Sequence, residues 1–149
     1  MRRAAVVSVV AAVGTVVVVP AASAMADSVS GSCRADGFRG SAKLVYNKVG
    51  GVYRPTGMTV GAGPHLGETE PALVRARMRI SHVEGHEEIV DFDKTRRGLE
   101  TGGSVAEPVE DVAIPITTSM TMSVTFTFVR PGGTRLTCRV VKEVDAFTS

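Results

Sequence analysis

From Met120 to Val141 the chain alternates apolar and polar residues with a period of two. Met120, Met122, Val124, Phe126 and Phe128 alternate with Thr121, Ser123, Thr125 and Thr127, which predicts a strand buried on one face and solvated on the other. Pro131, Gly132 and Gly133 then supply a proline with preset φ and glycines that accept positive φ, so the chain reverses there. The return run places Leu136, Cys138 and Val140 on one face. A three-residue loop at Pro131–Gly133 sets Phe128 opposite Leu136, Phe126 opposite Cys138 and Val124 opposite Val140. A slip of one residue would send every apolar side chain to the wrong side.

A second alternating run spans Val74 to Val83, with Val74, Ala76, Met78 and Ile80 on one face and Arg75, Arg77, Arg79 and Ser81 on the other. With Glu84-Gly85-His86 as the loop, Ile80 is expected opposite Val90, Met78 opposite Phe92 and His82 opposite Glu88. Arg79 then faces Asp91, and Arg77 faces Asp93. Opposite charges across strands contribute about 0.2 to 1 kcal/mol each and pin register. On this reading the arginines form a solvated charge ladder rather than a phosphate-binding face.

Weaker signals fill the remainder. A short strand is expected around Cys33 after a frayed start at Asp27–Ser32, then a strand over Ser41–Asn47 and a turn at Lys48-Val49-Gly50-Gly51. The run Val52–Val60 contains Pro55 and Gly57, which suggests an edge strand or a bend. Gly61–Pro71 reads as a loop, Thr95–Asp111 as a long connection between sheets, and Val112–Thr118 as a short strand marked by Pro115. No segment carries a sustained helical period. Short strands separated by Gly/Pro turns predict an all-β fold, an antiparallel β-sandwich that is immunoglobulin-like in broad architecture, with about seven to eight strands. A strict immunoglobulin frame fits less well, because the core Trp is missing and the two cysteines lie nearly end to end.

The first residues change the compartment. Met1-Arg2-Arg3, the apolar Ala4–Val19 and the small residues around Ala22-Ser23-Ala24 and Ala24-Met25-Ala26 make the three-part pattern of a secretory signal peptide. The expected division is residues 1–26 as signal and 27–149 as a single domain, with cleavage after Ala26 or alternatively after Ala24. Export by the general secretory route makes the protein extracellular and leaves no membrane segment after cleavage. An oxidising compartment in turn makes Cys33 and Cys138, the only two cysteines, a disulfide pair. Removing Arg2 and Arg3 takes Lys plus Arg from 17 to 15 against 15 acids, so the mature formal charge is zero. Net charge then gives no case for nucleic acid or for anionic membranes as partners.

The search for chemistry finds no nucleophile elbow, Walker loop, dinucleotide fingerprint, zincin helix or Cys-x-x-Cys pair. Gly61-Ala62-Gly63-Pro64-His65 neither follows a buried parallel strand nor opens a helix, so it reads as a surface loop. Aromatic residues are 5% of the chain with no Trp, which leaves only Tyr46 and Tyr53 to begin a sugar-binding platform. His82, Glu84, His86 and Glu88 are of types that ligate zinc, but their spacing matches no strong zinc signature. No catalytic residue, cofactor site or metal site is assigned.

The run Tyr46-Asn47-Lys48-Val49-Gly50-Gly51-Val52-Tyr53-Arg54, the Phe126-x-Phe128 hairpin with Cys138 and the alanine-valine leader resemble small exported all-β proteins of actinomycetes. That resemblance contains no functional motif and implies no activity. The expectation is a secreted, monomeric or weakly associating protein acting as a non-catalytic binding or interaction module for a protein or cell-wall partner. Two alternatives are an exported inhibitor presenting the Gly61–Pro71 or Thr95–Asp111 loop, and a hydrolytic enzyme whose site is assembled from distant residues.

Overall fold

The computed structural model describes residues 25–147; the expected signal segment falls almost wholly outside them. Among the described residues nine strands follow in order: β1 Asp27–Ala35, β2 Phe38–Val49, β3 Val52–Ala62, β4 Leu73–Glu84, β5 Glu87–Arg97, β6 Ser104–Pro108, β7 Ile114–Pro115, β8 Met120–Val129 and β9 Arg135–Val144. They form two antiparallel sheets, one ordered β1-β2-β3-β6 with β7 also on β3, the other ordered β5-β4-β8-β9. The two sheets pack as a sandwich. Its interior is filled by the alternating residues of β2, β3, β4 and β8, among them Leu44, Met58, Val60, Met78, Ile80, Met122 and Phe126, all fully buried.

The β8–β9 hairpin has the expected register, with Phe128 opposite Leu136, Phe126 opposite Cys138 and Val124 opposite Val140. Arg130 N–H donates to Thr134 O at 2.9 Å and closes the Pro131–Gly133 loop, where Gly133 takes φ +91°. The β2–β3 turn uses Gly50 and Gly51 at φ +60° and +75°, the doubly left-handed geometry whose twist matches the strands it joins.

Three expectations are corrected. Asp27–Ser32 is not a frayed start but the first part of β1, paired residue for residue with β2, since a polar strand can ride on the edge of an apolar neighbour. β3 is not an edge strand, for it lies between β2 and β6. Pro55 is accommodated where the β2–β3 register shifts between Val45 and Tyr46 and where the far-side partner changes from β6 to β7, places where a missing donor is tolerated. The Thr95–Asp111 connection contains the end of β5 and all of β6, while Val112–Thr118 reduces to the two-residue β7.

Each open side of the sandwich is closed by its own chemistry. Where β1 and β9 meet, Cys33 and Cys138 form the expected disulfide, with Cα atoms 5.7 Å apart. Beside it Phe126 lies flat against Gly40, and a Cβ there would sit 2.4 Å from the ring. On the opposite side the edge strands β5 and β6 are joined by charge. Glu107, opposite the buried Met58, faces inward and is itself buried. Lys94 Nζ reaches its Oε2 at 2.6 Å, and Arg96 Nη1 reaches its Oε1 at 2.9 Å. Hydrogen bonding from Lys94, reinforced by the charges of Lys94 and Arg96, holds the Glu107 carboxyl below its ordinary range against the opposing effect of burial. At one end, Arg130 on the β8–β9 loop binds Glu68 at 2.6 Å and Asp36 at 3.1 Å, which ties the segment after β3 to both hairpins.

Candidate functional site

Register arranges the outer face of the second sheet in rows. From β5 across to β9, one row reads Arg97, Arg75, Thr127, Thr137, the next Thr95, Arg77, Thr125, Arg139, and the third Asp93, Arg79, Ser123, Val141. Alternation puts these side chains outward because Ala76, Met78, Val124 and Phe126 between them are fully buried. The rows thus hold five arginines, no lysine and one carboxylate.

That carboxylate is shared. Arg77 donates Nε to Asp93 Oδ1 at 3.0 Å and Nη2 to Oδ2 at 2.7 Å, and Arg79 Nε stands 3.4 Å from the same group. The hydrogen bonds from Arg77 hold the Asp93 carboxyl below its usual range, with partial opposition from desolvation. Arg139 donates Nε to Ser123 Oγ at 2.7 Å. Among the described residues Arg75 and Arg97 form no ion pair, although they stand directly opposite each other. The Arg75 Nε is buried without an acceptor. A depression of about 470 Å³ lies over these side chains and is floored by Thr125 and Thr127.

The expected charge ladder is corrected here. β4 and β5 are joined by a two-residue turn, Gly85-His86, with Gly85 at φ +64°, rather than by a three-residue loop. The register also shifts between Ile80 and Ser81, which leaves Asp91 as the extra residue. Ile80 therefore faces Phe92, Met78 faces Lys94, Arg79 faces Asp93, and Arg77 faces Thr95. Val90 lies opposite Ser81, and Glu88 lies opposite Val83 rather than His82. A bulge lets an apolar residue keep its inward position while one residue leaves the ladder. Asp91 turns to His82, with Oδ2 2.7 Å from Nδ1. The Arg77–Asp93 contact survives as a diagonal, and the Arg79–Asp91 contact does not form.

Two of the three histidines, His65 and His82, are held by local structure. His82 is paired with Asp91, whereas Glu84, His86 and Glu88 are exposed around the hairpin tip. Among the described residues no three His, Cys, Asp or Glu side chains converge as metal ligands. His65 Nδ1 accepts the Arg39 backbone N–H at 3.1 Å, so the neutral ring carries its proton on Nε2, which faces Thr101 Oγ1 at 3.3 Å. The Thr101 hydroxyl in turn donates to Glu70. Proton direction thus runs from imidazole to hydroxyl to carboxylate, the reverse of what a histidine base drawing a proton from a threonine nucleophile requires. The Gly61–His65 stretch continues from the end of β3 into a loop fastened by Gly63 N–H to Arg39 O at 2.8 Å and Leu66 N–H to Gly37 O at 2.8 Å. Tyr46 and Tyr53 are core residues packed edge to face at 5.7 Å, and the Tyr53 hydroxyl donates to Asp145 O at 2.6 Å. Neither ring offers a platform to a sugar.

The sequence pattern places Arg75, Arg77 and Arg79 on one face but reads them as a solvated ladder, and Arg97 falls in the Thr95–Asp111 stretch that reads as a connection, whereas β5 runs on to Arg97. The signal was present in the continued alternation of Asp93, Thr95 and Arg97, and it was obscured by the inward Lys94 and Arg96, whose partner lies on another sheet. No protein-family model, curated protein or solved structure matches this chain.

Proposed function

We propose that the chain is an exported, non-catalytic binding module that engages an anionic partner through the outer face of its second sheet. The observation that supports this reading is the charge arrangement of that face: five arginines in three rows with one carboxylate among them, in a mature chain whose formal charge is zero. Charge that is balanced over the molecule but concentrated on one flat face attracts a partner by local potential rather than by net charge. The disulfide and the signal-like leader fit an extracellular setting.

Two measurements test the reading. The intact mass of the secreted product is expected to begin at Asp27, or at Met25 with the earlier site; a mass retaining Met1–Ala24 rejects export by cleavage. The mature protein is expected to be retained on a cation-exchange resin at low salt and released as salt rises, and R75Q/R97Q is expected to flow through. Flow-through of the unmodified protein rejects the binding face.

One observation favours a second reading, an exported inhibitor. The loop after β3 is held at Gly63, His65, Leu66 and Glu68, while the Leu66 side chain at its crest is 57% exposed. Titration of the protein against serine proteases of different specificity is the test, and loss of inhibition in Leu66→Gly is the expected signature.

A further inference from the structure

We propose that the anionic partner is a phosphate-bearing chain without bases, seated with one phosphate between Arg75 and Arg97; this rests on the binding-face reading above and names its ligand. Three features select the chemistry. The cations in the rows are all arginine, although four lysines occur elsewhere in the chain, and the guanidinium fork matches oxyanion geometry in a way that an ammonium point charge does not.

The second feature is the directly opposed Arg75 and Arg97. Like charges across a strand pair are unfavourable, and Arg75 Nε is buried with no acceptor. An oxyanion placed between the two guanidinium groups relieves the like-charge opposition. The third is the neighbouring hydroxyl of Thr127, which lies on the other side of Arg75 in the same row. Two forks present more donors than one carboxylate, which a single bidentate arginine already satisfies, and a tetrahedral phosphate has peripheral oxygens for both; the Thr127 hydroxyl, beyond Arg75, is left for the next part of the chain.

The rows also choose a chain over a lone ion. Arg139 lies one row further along the strands, which is roughly 6.8 Å, and on the far side of Thr125. A polymer with successive phosphates reaches it after occupying the first row, and an isolated phosphate does not. The rows contain no aromatic side chain, so nothing there stacks nucleobases as single-strand binders do. They also lack the buried apolar pocket that anchors a protein partner. Nucleic acid and acidic protein are therefore the competing occupants.

The test titrates disulfide-intact mature protein by calorimetry with linear polyphosphate, poly-L-glutamate of matched charge and a single-stranded oligonucleotide. Saturable binding of polyphosphate is expected, at least about tenfold tighter than either competitor at the same salt. R75Q/R97Q is expected to weaken it at least about tenfold, and R97K/R75K to weaken it nearly as much, because charge is kept and the fork is lost. R34Q/R54Q, which removes two exposed arginines off this face, is expected to leave it unchanged. R97Q alone lies on an exposed edge strand and reports on the site if the double variant misfolds. Equal or tighter binding of polyglutamate or of the oligonucleotide overturns the ligand class and leaves the binding face standing. Polyphosphate binding that is unchanged in R97Q and R75Q/R97Q overturns the site. No binding of any of the three polymers overturns both readings together.

Discussion

Single residues decide the two closures of the sandwich. Gly40 has no side chain because the Phe126 ring occupies that space at the disulfide. Gly40→Ala is expected to lower unfolding free energy by about 1–3 kcal/mol, the range for overpacking a fitted interior, and urea denaturation measures it. Glu107 is the acidic half of the other closure. Its carboxyl is held below the ordinary range when folded, so more protons bind to the unfolded chain as pH falls past the usual glutamate value of about 4.3. The clasp therefore stabilises the fold fully above that value and loses its contribution as pH falls through the folded pKa. Glu107→Gln is expected to cost about 1–3 kcal/mol at pH 7 and to flatten the decline in melting temperature between pH 5 and pH 3, where Asp93 keeps a remaining dependence of the same sign.

At the level of elements, the β4–β5 hairpin shows how a short turn and a bulge redistribute charge. Because Asp91 leaves the ladder for His82, exchanging charges between Arg79 and Asp91 joins residues that do not meet. R79D/D91R is expected to be no more stable than R79D. Arg77 and Asp93 do meet, and R77D/D93R is expected to recover part of the urea midpoint lost in R77D. The two pairs of variants together discriminate the bulged register from the uninterrupted one. The same bulge unbalances the outer face: with Asp91 removed, one carboxylate serves both Arg77 and Arg79, and Arg75 and Arg97 have none.

For the whole molecule, the disulfide joins strands 105 residues apart in sequence. Closing a loop of that length removes up to about 4.7 kcal/mol of denatured-chain entropy. C33A/C138A is expected to lose about 2–5 kcal/mol and to exchange the amide hydrogens of β1 first, since β1 has a hydrogen-bonded neighbour on one side only. Hydrogen exchange followed by mass spectrometry checks this. Protection of β4 and β8, central in their sheet and lined by fully buried side chains, is expected to persist until global unfolding.

The sequence by itself determined the elements whose two faces differ in polarity. In β8 every second residue is apolar and the turn carries its own Pro-Gly-Gly signal, so strand, loop length and register follow from local rules. The all-β class follows from the repetition of such runs, and the Cys33–Cys138 bond from there being one partner for each cysteine. Tertiary structure alone decided whatever depends on a neighbour distant in the chain. Glu107 makes β6 legible only beside Lys94 and Arg96, and β1, polar and glycine-bearing, is a strand because β2 offers it a full ladder. The arginine face escaped the sequence for a related reason. A strand pattern shows which residues share a face, but one inserted residue changes which of them meet, and here that shift left arginine opposite arginine.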